Sequence, residues 1–235
     1  MDTCLELPPK DEAPNGPHEP IGERDISSIH RLTAADVVAR EKEKAWTGIV
    51  GFGSLLSEVS ARVTCPNLRN FQIGRVYGWR RVFRHPATIF FARGIARPAT
   101  NEISSLSAEP ATARVGFAVA TFEVPSSEVG ALLEREEEFD FAHVPFFALD
   151  GQPDAKGPEL GRGYMCVPSD DAEVLDRRGL RDKYAKYGLT SVWDMWGQPD
   201  SGILPCPVYC RHCVLASRFK KMQIINTFVC LFFNY

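Results

Sequence analysis

Thr47-Gly48-Ile49-Val50-Gly51-Phe52-Gly53-Ser54-Leu55-Leu56 reads as a buried strand that runs straight into a glycine-serine turn. Gly51 and Gly53 let the backbone turn sharply and leave neighbouring N–H groups unshielded by side chains. Ser54 and Leu55 add further N–H groups and one hydroxyl. Fixed to a strand end, such a turn can hold a carboxylate or an oxyanion rigidly. Taken alone, it is more often a plain strand-to-loop connection. It is no dinucleotide fingerprint, because neither a third glycine nor a βαβ unit follows. Nor is it a P-loop, because no Gly-Lys-Ser/Thr follows.

Outward from this turn, residues 47–124 are mainly strand in pattern. Candidate strands cover 47–52, 71–76, 80–84 and 88–92, the last β-branched and aromatic. Residues 114–124 give the clearest strand of the chain. Pro125-Ser126-Ser127-Glu128 then predicts a helix start, capped by Ser126 or Ser127, running to about Glu137. Short strands follow at 142–149 and 163–167. Residues 170–187 are helical in pattern with a possible break at Gly179, and 207–221 form an amphipathic helix. Alternating βαβ units are absent, which argues against a Rossmann or TIM fold. The expected class is α+β, a small mixed β-sheet or barrel with flanking helices.

The 235 residues allow one sizeable domain with tails or two small ones. Residues 1–45 read as a Pro-rich, acidic, disordered tail with a possible short helix capped by Thr33. An ordered domain is expected over 46–217, and an atypical tail over 218–235. A net charge of −3 argues against a nucleic-acid binder. No window reaches the roughly 18 apolar residues of a membrane span. Seven scattered cysteines without a signal peptide point to reduced thiols and a cytoplasmic setting.

Three further stretches invite chemical readings. Leu132-Leu133-Glu134-Arg135-Glu136-Glu137-Glu138-Phe139-Asp140 is either a solvated acidic helix end or the seat of a general base. In the second case neighbouring carboxylates, with an apolar pocket of Phe139 and Phe141, raise the pKa of an inward glutamate. Gly78-Trp79-Arg80-Arg81-Val82-Phe83 is either an aromatic core strand with solvated arginines or the source of an arginine for a substrate carboxylate. Cys206, Cys210 and Cys213 match the spacing of an iron–sulfur triplet. Too little chain follows them for a radical enzyme, and no matching ligands suggest zinc. The five histidines show no metal-pair spacing.

Four segments in this order resemble the γ-glutamylcyclotransferase-like superfamily across residues 46–217. Phe52-Gly53-Ser54-Leu55 is similar to its Tyr-Gly-Ser-Leu/Asn turn, and Gly78-Trp79-Arg80-Arg81-Val82-Phe83 to its arginine-rich strand. Leu132-Leu133-Glu134-Arg135-Glu136 aligns with its Leu-Asp-x-x-Glu helix, and Pro205 to Cys213, with Tyr209, with its Pro-x-x-Tyr-Leu helix. Phe52 stands for the usual Tyr, Leu133 for Asp and Glu137 for the common Gly. The resemblance implies release of an amine or amino acid from a γ-glutamyl compound with formation of 5-oxoproline. It implies Glu136 as the catalytic carboxylate, with Glu137 as alternate. Phe52, Gly53, Ser54 and Leu55 would bind a small γ-glutamyl substrate, with no metal or cofactor. Two alternatives stay open: another γ-glutamyl lyase or hydrolase, or a non-catalytic binding module of the same fold.

Overall fold

The computed structural model describes residues 30–149, 157–177, 179–198 and 200–218. In chain order the elements are α1 (Ala34–Glu41), β1 (Trp46–Gly51), α2 (Glu58–Thr64), β2 (Arg69–Tyr77), β3 (Trp79–Pro86), α3 (Thr88–Ala92), β4 (Glu102–Pro110), β5 (Gly116–Pro125), α4 (Val129–Arg135), β6 (Phe139–Phe147), β7 (Glu159–Pro168), α5 (Asp171–Val174), α6 (Leu180–Ala185), β8 (Leu204–Pro205) and α7 (Pro207–Arg218). Five strands close a barrel in the order β1-β5-β2-β6-β7, and β3-β4-β8 form a second sheet. The fold is therefore α+β, a mixed barrel with flanking helices, as the sequence pattern indicates.

Closure of the barrel is a parallel contact between β1 and β7 at Ile49 and Tyr164. Two glycines permit it. A Cβ on Gly48 would stand 2.7 Å from the Arg162 carbonyl, and one on Gly163 would stand 3.0 Å from Gly48. The other barrel pairings are antiparallel. β5 is buried on both faces. Phe117 and Val119 fill one apolar cluster with Val76, Val144 and Met165, while Ala118 and Ala120 meet Leu56, Leu106 and Cys213. Burial on both sides explains why β5 is an unbroken apolar run rather than an alternating one.

Several local expectations change. Residues 88–92 are α3, a helix rather than a strand. Their β-branched and aromatic side chains serve burial: Phe90 joins Ala87 and Cys206 in a small core, and packing overrides propensity. β4 is serine-rich, and Ser104 and Ser107 are buried in it. α4 begins only at Val129, with no side-chain cap. Ser126 instead shares a 2.8 Å hydrogen bond with Thr47. The break at Gly179 separates α5 from α6.

α1 has the expected Thr33 cap, closed as a reciprocal box with Asp36. It is more than a feature of a tail. Leu32 and Phe141 exchange backbone hydrogen bonds of 2.9 and 2.8 Å, and Val37 is fully buried. Tyr164 donates to the buried Glu41 carboxylate at 2.8 Å, and Lys44 pairs with it. Residues 1–29 and 219–235 lie outside the described residues, and with them most of both expected tails. Among the described residues, no helix is long and apolar enough to cross a membrane.

Candidate functional site

β1 delivers the turn. Phe52 stays extended, Gly53 takes a φ of 72°, and a 3-10 turn covers Gly53–Leu56. Only glycine adopts that φ without strain, and the space is closed as well. A Cβ on Gly53 would meet the Tyr209 hydroxyl at 2.9 Å, Leu106 at 3.2 Å and the Cys213 sulfur at 3.3 Å. α7 therefore backs the turn directly. Behind it Cys213 interacts with both the Ser54 N–H and the Tyr209 hydroxyl, and Tyr209 also reaches Ser105. Burial pushes the Cys213 thiol up to about 12, so it stays protonated.

The acidic segment follows α4. The Glu136 N–H bonds to the Leu133 carbonyl at 3.1 Å, and the Glu136 carbonyl accepts from Phe139 N–H at 3.0 Å. That turn swings the chain from helix into β6 and places three glutamates in one wall. Glu136 is half-buried, and burial raises its carboxyl above the usual range against the pull of Arg135. Glu137 is held by Lys183 at 2.6 Å. Glu138 is buried, at 8% exposure. Burial first, then the charges of Glu136 and Glu137, push it up to about 7. Its oxygens take the Thr88 N–H at the start of α3 and lie 3.4 Å from the Tyr184 hydroxyl.

These features meet in a cavity of about 830 Å³. Ser54, Glu136, Glu137, Glu138, Phe139 and Tyr209 are in its wall. Basic side chains line it too: Arg93 beyond α3, Arg135 at the end of α4, Lys183 on α6 and Lys186 just after it, with His212 on α7. The cavity thus combines carboxylates shifted toward neutrality with a hydroxyl-bearing turn. That combination suits proton transfer to and from a bound substrate.

The other proposed binding residues sit elsewhere. Of the turn, Ser54 is in the cavity wall, while Phe52, Gly53 and Leu55 are not. Phe52 meets Phe117 edge-on at 6.0 Å, Gly53 is buried, and Leu55 packs on Gly51. Phe139 lines the cavity, whereas Phe141 belongs to the core beneath α1 and α4. Arg81 is neither solvated nor in the cavity wall. It is 1% exposed, with its guanidinium 5.1 Å above Phe117. Arg80 and Arg84 instead pair with the buried Glu109.

Sequence reading missed Glu138, the buried His85 and the part played by Cys213. Glu138 has a signal in hindsight: it stands directly before Phe139, the first residue of β6. His85 is in the cavity wall, sandwiched by Trp193 at 4.2 Å and Phe139 at 4.9 Å. Burial alone pushes it down to about 3, so it is neutral. Among the described residues, no group of His, Cys, Asp and Glu is arranged to hold a metal ion.

No protein-family model matches the sequence, and no curated protein sequence matches it. Among solved structures, the chain is similar to a γ-glutamyl cyclotransferase at 10% identity and a TM-score of 0.44, over 77% of this chain and 84% of that one. It is similar to an uncharacterized protein from Homo sapiens at 11% identity and 0.45, over 78% and 85%. It is also similar to a γ-glutamyl cyclotransferase specific to glutathione from yeast, at 11% identity and 0.45, over 80% and 97%.

Proposed function

We propose that this chain is a γ-glutamylcyclotransferase-type enzyme, acting on a small γ-glutamyl compound. The observation that carries the reading is the shared cavity of Ser54 and a desolvated Glu136. In such a reaction the substrate's α-amine attacks its own γ-carbonyl, closes a five-membered lactam and expels the leaving amine. Nucleophile and electrophile belong to one molecule, so holding the chain folded back supplies much of the rate. What remains is proton traffic and oxyanion stabilisation. Glu136 removes a proton from the α-ammonium. Burial raises its basicity, while Glu137 is occupied by Lys183. Ser54 offers a hydroxyl to the γ-glutamyl group, and Tyr209 supports the turn from behind.

The test is 5-oxoproline release from glutathione, γ-glutamyl-alanine and γ-glutamyl-ε-lysine by wild type and Glu136→Gln. The expected result is turnover of at least one compound by wild type and a loss of about 10³-fold in the variant. A folded Glu136→Gln protein that keeps most of the turnover removes Glu136 from the role.

One observation favours a second reading, a non-catalytic binding module. The Ser54 N–H lies against Cys213, and only one of the four turn residues is in the cavity wall. Binding of a γ-glutamyl compound without any 5-oxoproline would select that reading.

A further inference from the structure

Resting on the cyclotransferase reading, we propose that Glu138 is a second catalytic residue of this cavity, the acid that protonates the departing nitrogen while Glu136 acts as base. Both are in the wall of the one cavity, on either side of the turn that opens β6. Glu138 is the more buried of the two. Among the described residues it has no cation within ion-pair distance, although Glu137 beside it has Lys183. Two carboxylates this close resist ionising together, so the pair holds one proton over a range around neutral pH. The deeper member keeps it. The Thr88 N–H, a fixed donor on Glu138, orients the carboxyl group.

The protons balance. Glu136 takes one from the α-ammonium, and the freed amine forms its bond to the γ-carbon. The Glu138 carboxyl proton passes to the leaving nitrogen as that carbon–nitrogen bond breaks and the carbonyl re-forms. The lactam nitrogen returns its excess proton to Glu138. Glu136 gives its own to the released amine, and both groups are reset.

The experiment compares a leaving group that needs an acid with one that does not. γ-Glutamyl-alanine expels a basic amine, while γ-glutamyl-p-nitroanilide expels a weakly basic aniline. Glu138→Gln keeps an oxygen acceptor for the Thr88 N–H, and its fold is checked by circular dichroism. We expect kcat on γ-glutamyl-alanine to fall about 10²-fold or more. On the anilide it should fall less than about 10-fold. Equal losses on both substrates, or no loss on either, overturn the proposal.

A wild-type pH profile tests the same idea if the variant does not fold. With the alanine substrate kcat should decline above about pH 7, as Glu138 loses its proton; with the anilide it should not. The other ionisable groups around the cavity are Glu134, Arg135, Glu136 and Glu137 on the same segment, His85 on β3, Arg93, Lys183, Lys186, Tyr184, Tyr187, Tyr209 and His212. None of them makes the decline depend on the leaving group, so parallel profiles overturn the proposal. A wild type inert on both substrates fails the cyclotransferase reading itself.

Discussion

The buried carboxylates of this protein fall into two regions with opposite surroundings. On the outer faces Glu41, Glu109 and Asp140 are each at most 3% exposed, and each has cations. Lys44 pairs with Glu41, Arg80 and Arg84 with Glu109, and Arg31 and Arg177 with Asp140. In the cavity Glu138 has other acids for neighbours and a neutral backbone donor, the Thr88 N–H. A buried charge without a partner is costly, so the fold's own stability does not explain Glu138. The outer carboxylates tie elements together: Asp140 joins β6 to the stretch before α1 and to the one after α5. The cavity carboxylate holds a proton near neutral pH instead, which is a property of use in catalysis.

The comparison breaks most severely if an outer carboxylate is stripped. The double variant Arg31→Ala/Arg177→Ala leaves Asp140 as bare as Glu138. Breaking a buried pair by removing one side costs about 3–5 kcal/mol, and a loss of that size is expected in urea unfolding at pH 7.5. A loss under about 1 kcal/mol would mean that water already screens Asp140.

A smaller effect of opposite sign comes from Glu138→Gln. The folded protein raises this group from 4.5 to about 7. The associated stability is therefore full below about pH 4.5 and is lost as pH rises through about 7. Each pKa unit corresponds to about 1.4 kcal/mol. The glutamine variant should thus be more stable than wild type at pH 8, by about 3 kcal/mol, and no more stable at pH 4. His85 works the other way. Its folded pKa of about 3 against 6.5 gives stability that is present above pH 6.5 and lost as pH falls toward 3. Identical pH dependence in wild type and Glu138→Gln would show that Glu138 is not the strained group.

The same contrast sets what was legible in the sequence. The turn at Gly53-Ser54 and the strands on either side could be read because φ requirements and apolar runs are local. Glu136 was singled out only by the resemblance of residues 132–136 to the Leu-Asp-x-x-Glu helix. Glu138 was hidden, because three successive glutamates look alike until the turn between α4 and β6 sorts them by depth. α3 was misread for a related reason. Thr88 to Ala92 carry strand-like side chains, but the helix they form starts on a carboxylate supplied by Glu138, distant in sequence. β4 was not among the candidate strands, because its serines carry no apolar pattern and its pairing with β3 and β8 is not local. Docking of α1 depends on Glu41 meeting Tyr164, a contact no local pattern announces.

The gentlest probe of the comparison lies behind the turn, at Tyr209. Its hydroxyl joins Cys213 and Ser105, within 2.9 Å of where a Cβ on Gly53 would be. Tyr209→Phe keeps the ring against Phe83 and Phe90 and removes only the hydroxyl. Loss of such a hydrogen bond costs about 1 kcal/mol, a modest shift in urea midpoint. If the hydroxyl serves only to support the turn, 5-oxoproline release should fall by no more than the looser turn allows, about 10-fold, through KM. A loss of 10²-fold or more in kcat would make Tyr209 a participant in the chemistry. The line between supporting and reacting groups would then run through α7 as well as between the outer and the cavity carboxylates.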